Sequence, residues 1–426
     1  MSIGWNPAGV LHDDATPGLM QQDRGREDEL RTMENSMLAE GAGTRTRGRS
    51  SSTVGAVFGS DGFSSLMPAW RHLEQDVRPC GFYQQYLWME GYVRFLADEP
   101  ERIAFLTIGE GERARGILPL QLAGGARSWG RRTATLPDHP HLPITDGLFD
   151  SRLDAEATVE QLIGGVDEHF GRYAWIDLPR IPEGSFLDAG ISRIRSVPVL
   201  RQSAGASNWL PCDEGYEGLQ KRLSGHFRRN LRRLGQRVEA LGAVTYRAVC
   251  DPSQMQDAFD SFLEIEGSGW KGKEGEGTAI QCHADLLGFY RHLALAGSAS
   301  GKCVINLLEL DGRPIAAQFC LFSNGVLNLL KIGYSEELKH VSPGFVLLDR
   351  VLRDWGERDD VHAVSLVTDT AWQSIWRPVS SPLVHARIYN RSWVGAADRL
   401  WRRARPRVKH AVKSAATAVK RAGNTR

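Results

Sequence analysis

The most constraining feature of the chain is a run of three apolar segments separated by two dipeptides, Asp311-Gly312 and Asn324-Gly325. Both dipeptides tolerate positive φ and favour the tight turns of β-hairpins. They therefore predict three consecutive antiparallel strands, at residues 303–310, 314–322 and 326–334.

Helical segments surround these strands. Four segments are predicted to be helical, at 216–241, 253–266, 283–296 and 345–355, and Gly225 interrupts the first of them. Ser253 is the expected N-cap of the second of these helices. Two more strands are predicted after the last helix, at 361–367 and 383–389. Because a loop and a helix connect the hairpins to a further strand, this order predicts a mixed α/β sheet.

The first half of the chain is patterned less strongly. Residues 83–96 have helical spacing, and residues 103–108 and 116–122 predict a hairpin. A short strand at 175–178 is expected to stop at Pro179. These elements predict a second folded region ahead of the hairpins.

The pattern divides the chain into four regions. Residues 1–62 lack an apolar period and are expected to be disordered. Residues 63–205 and 206–395 are predicted to be two folded domains. Residues 396–426 are predicted to be a basic tail with helical spacing of its apolar residues.

Composition narrows the class of protein. Of 426 residues, 52 are Lys or Arg and 51 are Asp or Glu, so bulk charge does not indicate a nucleic-acid binder. Six cysteines without a Cys-x-x-Cys pair do not indicate a disulfide scaffold in a chain of this length. No apolar run approaches the ~18 residues of a membrane span. We expect a cytoplasmic protein with free thiols.

Five short blocks in one order carry a family resemblance. The blocks are Gly269-Trp-Lys-Gly272, Gly277-Thr-Ala-Ile280, Asp311-Gly-Arg-Pro-Ile-Ala316, Lys331-Ile-Gly-Tyr334 and Ser342-Pro-Gly344. The set resembles the GNAT acetyltransferases associated with cellulose and exopolysaccharide biosynthesis (the CelD/BcsL type), which are related in fold to the FemABX aminoacyltransferases. The resemblance implies tandem GNAT-like folds with a degenerate N-terminal copy. It also implies acetyl-CoA or another acyl-CoA as co-substrate, without a metal.

In that family the diphosphate of the thioester donor binds backbone N–H groups at a strand–loop–helix turn, where the helix N-terminus supplies donors and a positive dipole. Proline favours the first position of a helix, and glycine admits the close approach of a phosphate. An ordinary helix cap is the alternative interpretation of this turn. The implied donor-binding residues are Lys331, Lys339, His340, Ser342, Pro343 and Gly344.

The resemblance also implies catalytic residues near a splayed strand at 329–334. Tyr334 is the implied general acid for the departing thiolate, or else a substrate binder. On a flat strand Lys331 and Tyr334 face opposite sides, and a bulge near Gly333 would realign them. A proton acceptor is also needed, and solvated surface carboxylates are the alternative for each candidate. The candidate acceptors are Glu264, Glu266 and Glu336.

Trp270 and Lys271 form the implied substrate-binding pair. The tryptophan would stack on a sugar or adenine ring and the lysine would reach a phosphate, although an anchor for a mobile loop fits equally well. Two positions depart from the family. Ser335 replaces an expected Asp, and Gln373 replaces an expected Lys, so neither charged role is carried over.

Other patterns do not support a different function. Residues 267–274 nearly spell a P-loop, but Glu274 stands where Ser or Thr must bind Mg²⁺. Residues 109–114 imitate a dinucleotide fingerprint, but a hairpin explains them better. The His139-Pro-His141 segment with Asp146 is interpreted as a rigid loop rather than a metal site. The absence of a Gly-x-Ser-x-Gly motif disfavours a covalent acyl-enzyme.

Two basic segments leave the partners open. One is a helical stripe consistent with CoA phosphates, an anionic glycan or lipid carrier, a tRNA donor, or a solvated face. It comprises Lys221, Arg222, Arg228, Arg229, Arg232, Arg233 and Arg237. The other is the tail, where residues from Arg399 onward include ten Lys or Arg and no acid. It suits either an amphipathic helix on an anionic membrane or a floppy terminus.

Together these observations predict a direct acyl-CoA-dependent N- or O-acyltransferase of polysaccharide or cell-envelope biosynthesis. Its acceptor would be a small molecule or glycan, and it would be cytoplasmic or peripheral at the inner membrane face. The alternatives are a FemABX-type aminoacyltransferase that uses charged tRNA, and a non-catalytic CoA-binding scaffold.

Overall fold

Thirteen strands form one mixed sheet in the computed structural model, which describes residues 54–77, 79–109, 111–124, 132–268, 272, 276–402 and 404. The strands are β1 Val54–Phe58, β2 Ile103–Ile108, β3 Gly116–Ala123, β4 Arg132–Thr135, β5 Leu148–Phe149, β6 Tyr173–Pro182, β7 Val199–Pro211, β8 Val244–Val249, β9 Cys303–Leu310, β10 Arg313–Ser323, β11 Val326–Tyr334, β12 Ala363–Ser365 and β13 Val379–Tyr389.

Helices cover both faces of the sheet. They are α1 Gly59–Ser65, α2 Met67–Asp76, α3 Tyr86–Gly91, α4 Ala155–Phe170, α5 Phe186–Arg193, α6 Gly215–Arg222, α7 Gly225–Glu239, α8 Pro252–Gly267, α9 Ala284–Ala299 and α10 Pro343–Trp355. A π-helical turn at Tyr92–Leu96 follows α3. Short 3₁₀ helices include Glu336–Val341 before α10 and Ala371–Trp376 before β13.

The strand order contains an internal repeat. It runs β1-β2-β3-β4-β6-β13-β7-β12-β11-β10-β9-β8, with β5 paired to β3. In each half, four antiparallel strands are followed by a parallel one, which is β6 beside β4 and β12 beside β11. Helices lie between the first and second strands of each half, and one helix, α4 or α10, connects the fourth to the parallel strand. The predicted mixed α/β sheet of two similar copies is confirmed.

The last strand of each copy pairs with the parallel strand of the other copy. Strand β13 pairs with β6 of the N-terminal half, and β7 pairs with β12 of the C-terminal half. The two exchanged strands also pair with each other along most of their length. The sheet is therefore continuous through the predicted boundary between residues 205 and 206.

The apolar core is also shared between the two halves. One cluster joins Phe63 and Trp70 of the N-terminal half to Phe259 and Phe289 of the C-terminal half. A second cluster lies under α7 and α10, and a third lies under α4 and α5. The first cluster fixes the orientation of the two copies because it buries side chains of both.

The two predicted hairpin turns are confirmed. Asp311 and Gly312 have φ values of 50° and 76°, and Asn324 and Gly325 have φ values of 46° and 73°. Positive φ at both central residues is the geometry whose twist matches the flanking strands. The two turns therefore predicted the order β9-β10-β11 and its antiparallel pairing.

The predicted start of the folded region is wrong. Residues 54–58 fall within the segment expected to be disordered, yet they form β1 and pair antiparallel with β2. A five-residue edge strand is too short to create a detectable period in a chain rich in Gly and Ser. Residues 1–53 lie outside the described residues, as does the tail beyond residue 404.

Two further expectations are corrected by local geometry, and one is confirmed. The strand expected to stop at Pro179 continues to Pro182, because Pro179 lies where the pairing with β13 is irregular and its missing N–H is tolerated. The interruption expected at Gly225 is confirmed, because α6 ends at Arg222 and α7 begins at Gly225, where Ser224 caps it by accepting the N–H of Phe227 at 3.1 Å. Asp251, rather than Ser253, caps α8.

Among the described residues, helices fall short of the length and apolarity that a transmembrane span requires.

A buried ion cluster joins β13 to β6. The Arg387 side chain is only 6% exposed, and its Nη2 lies 2.5 Å from Asp177 Oδ2. His385 Nε2 lies 2.6 Å from Asp177 Oδ1. Burial opposes ionisation of Asp177, but hydrogen bonds from His385 and Arg387 outweigh it and lower the pKa of this carboxyl to about 2.

Replacing Asp177 with asparagine should destabilise the protein, because Arg387 would lose a buried counter-charge. We expect the free energy of unfolding at pH 7 to fall by about 2–3 kcal/mol. The pKa is lowered on folding, so this stabilisation is complete above a pH of about 4 and is lost as the pH falls towards 2. Denaturant unfolding should show the gap between wild type and Asp177→Asn narrowing over that interval. A gap independent of pH would contradict the assignment.

Candidate active site

The strands β11 and β12 separate after a short stretch of parallel pairing. Only Val326, Leu327 and Asn328 of β11 have partners on β12, which ends at Ser365. Strand β11 continues to Tyr334. Residues 329–334 therefore line an opening in the described sheet, at the splay that the sequence predicted.

A β-bulge lies within this opening. Lys331 pairs with Phe319 and Leu329 pairs with Cys320, so Leu330 is the extra residue of the bulged strand. The predicted bulge near Gly333 is wrong by three residues. Because the bulge precedes Lys331, it does not realign Lys331 with Tyr334. Tyr334 packs with the α7–α10 cluster, whereas Lys331 Nζ lies 5.8 Å from the ring centroid of Tyr290 on α9.

Gly333 allows α8 to approach the splayed strand closely. A Cβ atom at this position would lie 2.9 Å from the backbone N and Cα of Glu266, which is the penultimate residue of α8. The contact is with backbone, so it cannot be relieved by a side-chain rotation. Gly333 therefore fixes the position of Glu266 beside β11.

The loop of residues 335–344, called here the donor loop, connects β11 to α10. Ser342 has a φ of 50° and its side chain does not cap the helix, which begins at Pro343. The first turn of α10 contains no acidic residue. Pro343 has no N–H, and the N–H groups of Phe345 and Val346 donate to the carbonyl oxygen of Ser342 at 3.0 and 3.3 Å. The N–H of Gly344 and the dipole of the first turn are therefore what this helix start offers to an anion.

Space in front of Gly344 is open. A Cβ atom at Gly344 would meet Tyr334 Cδ1 at 3.9 Å, which is ordinary van der Waals contact. Lys339 and His340 are exposed on the same loop, Ser342 is half-buried and Pro343 is buried. The donor loop thus combines an uncapped helix start, free space and two basic residues.

Tyr334 lies at the junction of the opening and the donor loop. Partial burial, with a smaller effect from the charge of Glu336, raises the pKa of its phenol. The hydroxyl is therefore protonated at neutral pH and able to donate a hydrogen bond or a proton. Glu336 is half-buried beside it.

The equivalent helix start in the N-terminal copy is capped by a carboxylate, which disfavours binding of an anion. Helix α4 begins after Asp154, whose Oδ1 accepts the N–H of Ala157 at 2.8 Å. Glu156 adds a second acid in the first turn. The Asp154 carboxylate already accepts an N–H group that a phosphate would need, and its negative charge would repel a phosphate. The two copies thus differ in that a carboxylate caps the helix start in the N-terminal copy, whereas no side chain caps it in the C-terminal copy.

A loop of the N-terminal half reaches Tyr290 on α9, which lies beside Lys331 of the splayed strand. Arg180 holds this loop, because its Nη2 lies 2.5 Å from Asp138 Oδ1 and 2.9 Å from the carbonyl oxygen of Leu142. The loop carries His139 and His141, both half-buried. Their ring centroids are 5.6 Å apart.

The two histidines meet Tyr290 and Lys331, and these four residues are called here the histidine cluster. His141 Nδ1 lies 3.0 Å from the hydroxyl of Tyr290, which is buried in α9. His139 Nδ1 accepts the N–H of His141 at 3.2 Å. Burial, assisted by the charge of Lys331, lowers the pKa of His139 despite three nearby aspartates. His139 is therefore neutral near pH 7.

Sequence reasoning assigned the His139-Pro-His141 segment to an ordinary loop and missed its position. The segment is a loop, but it reaches the splayed strand of the other copy. The sequence holds only a weak signal for this, which is a pair of histidines set between prolines. Tyr290 was also missed, because it has the burial and spacing of a core residue of α9.

The predicted proton acceptors lie in different environments. Glu266 is 5% exposed, and its Oε2 accepts the N–H of Ile280 at 3.0 Å, which ties the end of α8 to the segment before α9. Its charge also contributes to the raised pKa of Tyr290, after burial. Glu264 is exposed on α8.

The predicted substrate-binding pair, Trp270 and Lys271, lies outside the described residues.

Gln373 has a structural position. It is 1% exposed; its Oε1 accepts from Asn208 Nδ2 at 2.7 Å, and its Nε2 donates to Thr368 Oγ1 at 3.2 Å. The amide therefore links the 3₁₀ helix before β13 to β7 and to the segment after β12. A lysine at this site would bury a charge among neutral partners, which explains why an amide suits this chain.

Comparison with known proteins agrees with this geometry. Residues 225–374 match the family model of the acetyltransferase (GNAT) domain. The matched stretch contains the splayed strands, the donor loop and α10. Curated protein sequences give no significant match to the chain.

Solved structures resemble the chain at low sequence identity. FemX has a TM-score of 0.51 at 10% identity, and the match covers 74% of this chain and 94% of FemX. A conserved protein of unknown function from Bacteroides thetaiotaomicron VPI-5482 has a TM-score of 0.49 at 12% identity, covering 76% and 97%. A tandem GNAT protein from the clavulanic acid biosynthesis pathway has a TM-score of 0.41 at 14% identity, covering 80% and 99%.

The likeness to FemX concerns the fold alone. Because it covers 74% of the chain, it extends beyond the stretch that matches the GNAT model and includes part of the N-terminal half. FemX therefore shares more of the fold of this chain than the stretch that matches the GNAT model.

Replacing Gly333 with alanine should displace α8 from the splayed strand. We expect a loss of about 1–3 kcal/mol in the free energy of unfolding, because the new Cβ overlaps the backbone of Glu266. Gly235→Ala in α7 is the matched control, since a Cβ there meets nothing within 4 Å and alanine favours a helix. Denaturant unfolding of both variants checks this. Equal stability of the two would contradict the close approach.

Proposed function

We propose that this chain transfers an acyl group from an acyl-CoA thioester directly to an amine or hydroxyl acceptor. The observation that carries the proposal is the continuity of the splayed, bulged strand β11 with the uncapped start of α10. A thioester lying in the opening would place its diphosphate at the donor loop. The matched GNAT model supports the same reaction class.

The donor loop fits the diphosphate of such a co-substrate. The backbone N–H of Gly344 and the α10 dipole would bind the phosphates, with Lys339 and His340 adding positive charge. Ser342 and Pro343 shape the turn that presents these groups. Lys331 was expected to bind the donor as well, but it belongs to the histidine cluster, with its Nζ 5.8 Å from the ring of Tyr290, so we assign it to the acceptor side.

The chemistry requires one hydrogen-bond donor and two proton carriers. A backbone N–H freed near the bulge at Leu330 would stabilise negative charge developing on the thioester carbonyl oxygen. The acceptor nitrogen or oxygen forms a bond to the carbonyl carbon as the carbon–sulfur bond breaks. Tyr334 would give its proton to the departing thiolate, in keeping with its raised pKa.

We propose His141 as the group that removes the acceptor proton. It is half-buried, and Tyr290, which lies beside Lys331 of the splayed strand, orients its ring through the Nδ1 contact. Glu266 is buried and holds the Ile280 backbone, so we propose that it positions Tyr290 and the segment before α9. Glu336 stays a candidate for the same proton through its position beside Tyr334.

The biological setting is proposed from the family resemblance alone. The CelD/BcsL-type blocks suggest polysaccharide or cell-envelope biosynthesis, with a cytoplasmic enzyme acting on a small-molecule or glycan acceptor. Trp270 and Lys271 stay the proposed contacts to that acceptor. The difference between Asp154 and the Ser342 turn supports a donor site in the C-terminal copy and a degenerate N-terminal one.

The basic stripe favours a second candidate, an aminoacyltransferase that uses charged tRNA. Five arginines on α7 are exposed, and in the described part of the chain none pairs with a carboxylate. Helix α7 also contacts the donor loop side of α10, since Phe227 and Phe345 have ring centroids 6.0 Å apart. The five arginines of α7 are Arg228, Arg229, Arg232, Arg233 and Arg237.

Nucleic acid that co-purifies with the protein and absorbs at 260 nm would favour this candidate over acyl-CoA transfer.

Substitution at Gly344 tests the donor loop without disturbing the fold. Gly344→Asp should fold normally, because the space is open, but its carboxylate would repel the diphosphate. We expect acetyl-CoA to raise the melting temperature of wild type and of the control Gly344→Ala, and to leave Gly344→Asp unchanged. Equal stabilisation of all three would show that the diphosphate binds elsewhere.

Substitution at His141 tests the proton acceptor. We expect His141→Gln to lower kcat/KM by about 100-fold or more, with the acetyl-CoA thermal shift retained. The exposed His72→Gln, on α2, is the matched control and should match wild type. The assay is CoA release with whichever amine or sugar of a panel turns over fastest. Tight acetyl-CoA binding without turnover across the panel would instead favour a non-catalytic scaffold.

A further inference from the structure

A helix at residues 393–402 follows β13 and is held to the body by its inner side. Val394 is 3% exposed. Asp398 Oδ2 accepts hydrogen bonds from Tyr389 Oη at 2.7 Å and from Arg387 Nη1 at 3.0 Å. Since Arg387 belongs to the ion cluster of β13 and β6, the helix is anchored to the centre of the sheet.

This helix also exposes large apolar residues to solvent. Trp393, Leu400 and Trp401 are 64%, 65% and 62% exposed. They are spaced at i, i+7 and i+8, which places them on one face of a helix. The other exposed large apolar residues of the described chain are less accessible, none exceeding the 48% of Val379. This surface is called here the tryptophan face.

The sequence that begins within this helix is strongly basic. From Arg399 to Arg426 the sequence has ten Lys or Arg and no Asp or Glu. Residues 1–398 have 42 basic and 51 acidic residues, so the rest of the protein is net negative. An anionic surface would therefore be attracted at this end of the chain and repelled, on average, by the rest.

We propose that the tryptophan face docks on the surface of an anionic lipid bilayer. Indole rings favour the headgroup level, and Leu400 would enter the acyl boundary. Arg402 is paired with Asp398 at 3.0 Å, so lipid phosphates would pair with the other basic residues of the sequence from Arg399 onward. A nucleic acid would satisfy the basic residues but leave Leu400 without an apolar partner. A bilayer offers phosphates and acyl chains side by side, which is the chemistry that this face combines.

The proposal is independent of the proposed reaction and is tested without it. The full chain is sedimented with vesicles of phosphatidylcholine alone and with vesicles that also contain phosphatidylglycerol. We expect binding to the anionic vesicles only, weakening as NaCl is raised. The double variant Leu400→Ser/Trp401→Ser should bind at least about tenfold more weakly. Leu241→Ser, which changes another exposed leucine, is the matched control and should bind like wild type.

Three outcomes would overturn the proposal. The first is no sedimentation of wild type with anionic vesicles at low salt. The second is equal vesicle binding by wild type and the double variant, which would assign binding to charge alone. The third is a wild-type dimer in light scattering that the double variant abolishes, because a second copy would then cover the face. Thermal unfolding of the variants establishes that each is folded before binding is compared.

Discussion

The exchange of β7 and β13 between the two copies is the constraint on which the rest of the structure depends. Each strand completes the sheet of the other copy, and their pairing leaves no unpaired edge at the centre. The ion cluster of Asp177, His385 and Arg387 fixes β13 against β6, and Asp398 extends that fixation to the C-terminal helix. The orientation of the copies, and thus of the loops at the opening, follows from this centre.

That orientation makes the candidate site a product of both copies. The C-terminal copy contributes the bulge, Tyr334 and the donor loop, and the N-terminal copy contributes the histidine loop. In the N-terminal copy Asp154 caps the equivalent helix start. In our proposal, the C-terminal copy therefore binds the donor, and the N-terminal copy contributes the group that accepts the proton.

The sequence predicted what local chemistry specifies. The two hairpin turns with positive φ, together with the apolar segments around them, predicted β9, β10 and β11. The proline after Ser342 predicted the start of α10. The sequence did not predict contacts made between distant segments. The 3.0 Å contact of His141 with Tyr290 joins residues 149 positions apart, and no local period marks either partner. The bulge was predicted near Gly333 because glycine is common at bulges. Its position depends instead on the register between β10 and β11, which places it at Leu330.

The exchanged centre also determines how the chain can be divided. A fragment ending before β13 would lose its own last strand and would at once expose the edges of β6 in one half and β7 in the other. Neither copy is a unit that can be excised with its sheet intact, although each repeats the same strand order. The two halves repeat one strand order, yet each needs a strand from the other to complete its sheet. The folding of each half therefore depends on the presence of the other.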